Sequence, residues 1–249
     1  MSRYFIELSF MGSRYFGWQV QPGHITVQEV LEKCFSAFLG TPVAVTGAGR
    51  TDTGVHASFF VAHFDAERLP CDLEDMVYKL NRFLPEDISL HRIRPVIPEA
   101  HARFSALSRT YRYVISRKKD PFFADTSFRY LLPLDMEKMN SAAALLLNHS
   151  DFTSFSKLHT DTKTNICKVS EAFWEEKDHQ LVFTITADRF LRNMVRAITG
   201  TLLEVGKGKL SVEGFEEIIL KKDRCAAGMS MSAKGLFLIG IGYPEDIYL

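Results

Sequence analysis

The chain has 249 residues, 46% hydrophobic and 24% charged, enough to bury the core of one large domain or of two intimately packed smaller ones. Thirty basic residues balance thirty acidic ones, and this neutral sum argues against indiscriminate nucleic-acid binding. No apolar run approaches the ~20 residues a membrane helix needs, and the first residues enter a strand pattern rather than a signal or transit peptide, so a cytoplasmic protein is expected.

In MSRYFIELSF, Tyr4, Ile6, Leu8 and Phe10 alternate as one face of a half-buried strand. After a polar, glycine-containing connection, TVQEVLEKCFSAFLG carries a helix. Thr26 and Glu29 have capping-box spacing, Val27, Val30, Leu31, Cys34, Phe35, Phe38 and Leu39 follow a helical rhythm, and Gly40 sits where the helix should stop. Cys34 on that apolar face reads as a small hydrophobe. The four cysteines, Cys34, Cys71, Cys167 and Cys225, are far apart with no C-x-x-C pair, which argues against a metal knuckle or a disulfide framework.

Strands are expected at 42–46 (PVAVT) and 57–64 (ASFFVAHF), with GAGRTDTGVHA as the loop between them. A second amphipathic helix, DLEDMVYKLNRFL, and a strand, ISLHRIRPV, complete the order β-α-β-β-α-β. The second half repeats it: a strand at 109–116, a helix near 136–148, strands near 167–175 and 180–187, and a helix near 190–204. An extra helix opens at Ser211 before a closing strand, GLFLIGIGY. The expected fold is α+β: two ferredoxin-like halves, 1–104 and 105–249, joined into an extended antiparallel sheet with helices on one face and a central cleft. An echo of RTDT at 159–162, HTDT, precedes a different strand of the pattern and is read as chance.

The loop holds the candidate chemistry. Gly47-Ala48-Gly49 is not a phosphate loop, because no third glycine has the right spacing and a strand follows. His56 and His63, seven apart on a strand, face opposite sides and cannot share a metal. Asp52 and Thr53 suit a turn, but the loop is longer than a tight hairpin requires and places Arg50 beside the carboxylate. In the 190–204 helix, Arg192 and Arg196 have i, i+4 spacing at the edge of an apolar stripe. A guanidinium there could hold a partly buried carboxylate or simply be solvated; the residues alone leave both open. In RTYRY, Tyr111 and Tyr113 share a strand face with Arg109 and Arg112 interleaved, which suits either base stacking or core packing. The surrounding residues 101–130 are rich in cations, Arg103, Arg117, Lys118, Lys119 and Arg129 among them.

GRTDTGVHA resembles the signature loop of the TruA family of tRNA pseudouridine synthases, and the resemblance runs along nearly the whole chain. FGWQVQPGHITVQEVLE (16–32), HARFSALSRTYRYVI (101–115), FLRNMVRAITGTLLEVG (190–206) and GLFLIGIGYP are similar to further family segments. The resemblance implies that Asp52 is the catalytic aspartate. By the same resemblance Arg50 displaces the target uridine, Tyr111 stacks on the flipped base and Arg196 pairs with Asp52. It further implies a homodimer acting on tRNA without cofactor or metal, at uridines in the anticodon stem-loop (positions 38, 39 and/or 40). One departure stands out: CAAGMSMSAKG (225–235) lacks the alanine-proline step usual before the family's closing strand. The chemistry agrees with the residues. Breaking the N1–C1′ bond, rotating the uracil and rejoining it through C5 adds no atoms, and an ionised aspartate could attack C1′, attack C6 or act as a base. A base held in a stem must first leave its stack.

Overall fold

The structure, a computed structural model, describes residues 1–157 and 164–249; the HTDT echo lies outside the described residues. In chain order the elements are β1 (Ser2–Phe10), α1 (Val27–Leu39), β2 (Thr46–Gly47), β3 (His56–Ala66), α2 (Leu73–Phe83), β4 (Ile88–Val96), β5 (Ser108–Ser116) and β6 (Phe128–Arg129). There follow α3 (Met136–Leu145), β7 (Val169–Lys177), β8 (Gln180–Ala187), α4 (Met194–Gly206), α5 (Val212–Lys221) and β9 (Leu236–Gly242). The result is a mixed α+β fold with mostly antiparallel strand pairing. The chain forms two compact units, Met1–Leu107 with Phe237–Leu249, and Ser108–Leu236.

In the first unit β1 pairs antiparallel with both β3 and β4, β2 pairs β3, and β9 joins β3 in parallel through His56↔Phe237 and Ala57↔Leu238. This is the ferredoxin-like order with one added strand. The helices α1 and α2 take one sheet face, where Ile6, Leu8, Phe60 and Phe64 are buried against Leu31, Phe35, Met76 and Leu80. Phe35 meets Phe64 edge-on at 4.9 Å between centroids. Each such side chain contributes about 1.5–3 kcal/mol by leaving water. Thr26 caps α1 by accepting from the Glu29 N–H, and Gly40 ends it at φ 71°.

Two expectations for this unit need correction. The strand at 42–46 shrinks to Thr46–Gly47. Side chains of α1 take the backbone groups that a strand partner would have used: Ser36 Oγ accepts from Val43 N–H (2.8 Å), Glu32 from Val45 N–H (3.0 Å), and Gln28 Nε2 donates to Val45 O (2.9 Å). The chain therefore runs along the helix. Nor is β1 half-buried: Phe5 on its second face is 1% exposed, in a cluster with Val61, Val96, Ala100, Ala102 and Ile247. Tyr243 and Tyr248 pack edge-on against Phe5, so the C-terminal segment covers this face.

In the second unit β8 lies between β5 and β7, antiparallel to both. Tyr113, Ile115, Phe183, Ile185 and Trp174 fill the face beneath α3, where the Asn140 side chain bonds both the N–H and C=O of Trp174. The opposite face carries a polar row: the Thr110 and Thr186 hydroxyls bond at 3.0 Å, and Thr186 donates to Glu171. The helix expected from residue 190 starts later. Asn193 adopts φ 67° as its N-cap, so α4 begins at Met194 and Arg192 lies outside it. The i, i+4 pairing of Arg192 with Arg196 on one helix face therefore fails.

Candidate active site

The loop at 47–57 leaves the sheet after Gly47 and Ala48, whose N–H still bonds Val61 O at 2.8 Å, and returns at His56. Between them a turn closes from Val55 N–H to Asp52 C=O at 3.1 Å, with Gly54 at φ 78°. That turn class demands positive φ at its third residue, hence the glycine. Asp52 is thus a turn former through its backbone carbonyl, and its half-buried carboxylate is not the acceptor of that bond. Arg50 is exposed and Thr51 half-buried. The Thr51 hydroxyl is closed off from solvent and meets no hydrogen-bond partner among the described residues.

A second segment, residues 12–18, braces this loop. Trp18 N–H donates to Thr51 O and Gly54 N–H to Tyr15 O, both at 3.4 Å, and Gly12 N–H donates to His56 Nδ1 at 3.0 Å. The contacts are too close for side chains: a Cβ on Gly12 would run into the Val55 carbonyl, and one on Gly17 into the Thr51 carbonyl oxygen. Gly17 also sits at φ 82°, a conformation L-residues avoid. Gly47 lies against the Trp18 indole, which stacks on Phe60 at 4.2 Å. The brace is itself anchored, since buried Tyr15 donates to Asp87 at 2.5 Å and Arg14 lies 3.3 Å from the same carboxylate. Burial and that carboxylate push the Tyr15 phenol well above its usual pKa. In the sequence 16–32 stands only as a resembling segment, and the brace does not show. Its available signal was Gly12 and Gly17 in a polar connection that needs no two glycines for a turn.

The expectation that His56 and His63 face opposite sides fails. β3 carries an extra residue between Ala57, paired with Phe10, and Phe60, paired with Leu8. Both histidines therefore lie on the sheet face of Phe5, in different surroundings. The ring of His56 is fully buried, accepts from Gly12 and stacks on Phe237 at 4.6 Å. His63 accepts from Ala102 N–H at 3.1 Å and lies beside Phe5 and His101. Burial lowers the His63 pKa to about 4, helped by nearby Arg3 and His101 and opposed by Asp65, so the ring is neutral near pH 7.

In the second unit Tyr111 is half-buried on β5 and meets Phe190 edge-to-face at 5.0 Å. Its strand neighbour Tyr113 belongs to the core, fully buried with its hydroxyl bonded to Ser232 O at 2.9 Å. Arg109 donates to Asp188 O at 2.8 Å. Arg196, in the first turn of α4, donates through Nε to Met231 O at 2.6 Å, while Met231 N–H returns a bond to Arg196 O at 3.0 Å. That pair of bonds fixes the guanidinium direction.

The same bonds explain how residues 225–232 are built without proline. Ala227 has φ −79° and ψ 155°, the backbone that proline would impose, and its N–H bonds Arg224 O at 3.3 Å. Arg224 Nη1 lies 3.2–3.4 Å from the carbonyls of Ala227 and Gly228, and Nη2 donates to Ser230 Oγ at 2.9 Å. Gly200 of α4 lies directly under the Met229 carbonyl, and Gly228 N–H donates to Thr201. An arginine clamp supplies the rigidity.

A family described as tRNA pseudouridine synthase matches residues 8–105 and 142–244 of the chain. Curated relatives named tRNA pseudouridine synthase A match it nearly end to end. The relative from Bacteroides thetaiotaomicron is 57% identical over 251 residues, covering all of this chain and 93% of its own. That from Bacteroides fragilis is 55% identical over 249 residues, covering 100% and 99%. The relative from Bacillus licheniformis is 40% identical over 242 residues, covering 96% and 98%. Fold and matches together define an RNA-modifying isomerase rather than a binding module. The chain belongs to the tRNA pseudouridine synthase family. Among the described residues no helix is long and apolar enough to cross a membrane, and no group of three metal-type ligands is present.

Proposed function

We propose that the enzyme converts uridine to pseudouridine on the 3′ side of the tRNA anticodon stem-loop, at positions 38, 39 or 40, with Asp52 as its catalytic residue. Arg50 enters the stack as the target base leaves, Tyr111 stacks on the flipped uracil, and Arg196 pairs with the Asp52 carboxylate and orients it. The protein acts as a cytoplasmic homodimer. The reaction is redox-neutral and atom-neutral, so the side chains suffice: the glycosidic bond breaks, the uracil turns, and C5 replaces N1 on the sugar.

The observation that carries this reading is the brace on the Asp52 loop. Two backbone–backbone hydrogen bonds, a third from Gly12 N–H to the His56 ring, and two glycines too crowded for a Cβ hold a loop that carries an exposed cation, Arg50, and a half-buried carboxylate, Asp52. Such positioning serves a group that must meet a reacting centre at fixed range, not a connection between strands. The test is carbodiimide mapping of transcribed tRNAs after incubation with the enzyme and a chelator. Pseudouridine confined to the 3′ side of the anticodon stem-loop is expected. Modification elsewhere, or none without added metal, contradicts the assignment.

A further inference from the structure

The segment HARFSAL (101–107) is tied down far more tightly than a surface connection needs. Its Ala102 N–H donates to buried His63, its Ala102 carbonyl accepts from Tyr243 at 2.5 Å, and Leu107 N–H donates to Gly242 O at 2.8 Å. His101 folds the segment on itself. Its backbone N–H donates to Ser105 Oγ (2.9 Å), its carbonyl accepts from Ser105 N–H (2.9 Å), and its ring Nδ1 accepts from the backbone of Arg103 (3.1 Å) and Phe104 (3.3 Å). Ala100 and Ala102 pack in the same buried cluster as Ala48, the residue from which the Asp52 loop departs.

What this scaffold holds out is an aromatic ring. Phe104 is 75% exposed, with the His101 imidazole 4.4 Å from its centroid and the Arg103 guanidinium over it at 5.5 Å. Leaving a phenylalanine in water forfeits the stabilisation that burial would supply, and flexible tethering would have let the ring fold back. Here the backbone on both sides is fixed, so exposure is imposed by the loop. A planar, apolar ring flanked by an imidazole tilted 38° to it and by a guanidinium suits the π-face of a nucleobase, which stacks on aromatic rings and arginine planes alike without regard to sequence.

We propose that Phe104, supported by His101 and Arg103, is a stacking platform for an unpaired base of the tRNA, separate from the ring that receives the target uracil. The proposal rests on the functional reading above for the identity of the nucleic acid. Its test is to compare the wild-type chain with Phe104→Ala and Phe104→Trp for tRNA affinity, steady-state pseudouridine formation, melting temperature and sedimentation. Phe104→Ala should raise Kd and KM about tenfold with kcat within about twofold, and Phe104→Trp should restore both. Its salt dependence should match wild type, because stacking releases no counterions. Unchanged Kd and KM in Phe104→Ala overturn the proposal, as does a loss confined to kcat. A shift in oligomeric state with tRNA affinity intact assigns the ring to a protein contact and overturns it too. A wild-type chain that binds tRNA but makes no pseudouridine strikes the functional reading, while the affinity comparison still decides the platform.

Discussion

The loop at 47–57 and the segment at 225–232 are both held against a neighbouring element, but by different means. In the first, glycines bring backbone against backbone: Gly12 meets Val55 and Gly17 meets Thr51 with no space for a methyl group. In the second, although Gly200 and Gly228 also permit close approach, the clamp is a side chain, with Arg224 gripping Ala227, Gly228 and Ser230. Backbone packing fixes position to a few tenths of an ångström and tolerates no substitution. A side-chain clamp can be rebuilt from other residues, which is how a segment without the usual proline keeps its shape. The contrast teaches where this chain is free to vary and where it is not.

That comparison can be broken most sharply at Gly17. Alanine there must hold a left-handed backbone and force its methyl into the Thr51 carbonyl, so Gly17→Ala should cost about 2–4 kcal/mol of stability. Its activity should fall much further than its melting temperature suggests, since the loop carrying Asp52 must move. A calorimetric scan beside a turnover assay checks both, and a fully active Gly17→Ala would show that the brace does not position the loop.

Acid should act on the first unit through His63. Its folded pKa is about 4, while an unfolded histidine sits near 6.5. The unfolded chain therefore binds the extra proton between those values. The stability due to neutral His63 is complete above about pH 6.5 and is lost as pH falls toward 4, on the order of 3 kcal/mol in all. Asp65, held below the usual carboxylate range by its bonds to Arg3, adds a loss only at still lower pH. Urea melts from pH 7 to 4 should show this slope in the wild type and a flatter one in His63→Gln.

The smallest effect belongs to the second clamp. Arg224→Ala removes bonds to three partly exposed acceptors and should cost about 1–2 kcal/mol, with activity lowered only a few-fold. Ala227→Pro should not rescue it. Although φ −79° suits proline, the Ala227 N–H is in use and the preceding residue is helical, a conformation proline disfavours. Melting temperatures of the single and double variants sort these outcomes.

Much of this was legible in the sequence because local rules and tertiary packing agreed. Thr26, Glu29 and Gly40 announced both ends of α1. The misses lie where a long-range contact overrode a local rule. PVAVT has strand composition, but Ser36, Glu32 and Gln28 of α1 took its backbone partners. The helix at 190–204 has continuous periodicity, yet Asn193 adopts a left-handed conformation that periodicity does not register. Phe5 looked solvent-facing because what covers it, Tyr243 and Tyr248, comes from the other end of the chain. At the candidate site the loop and its residue types were readable, whereas the 12–18 brace was not, since glycine carries no pattern of its own.

The most direct measurement is single-turnover pseudouridine formation by Asp52→Asn on a tRNA it is shown to bind. With the brace intact and one carboxylate oxygen replaced by an amide, binding should stay within about threefold of wild type while the rate falls by about 10⁴-fold or more. A folded Asp52→Asn that turns over within about tenfold of wild type would contradict the account.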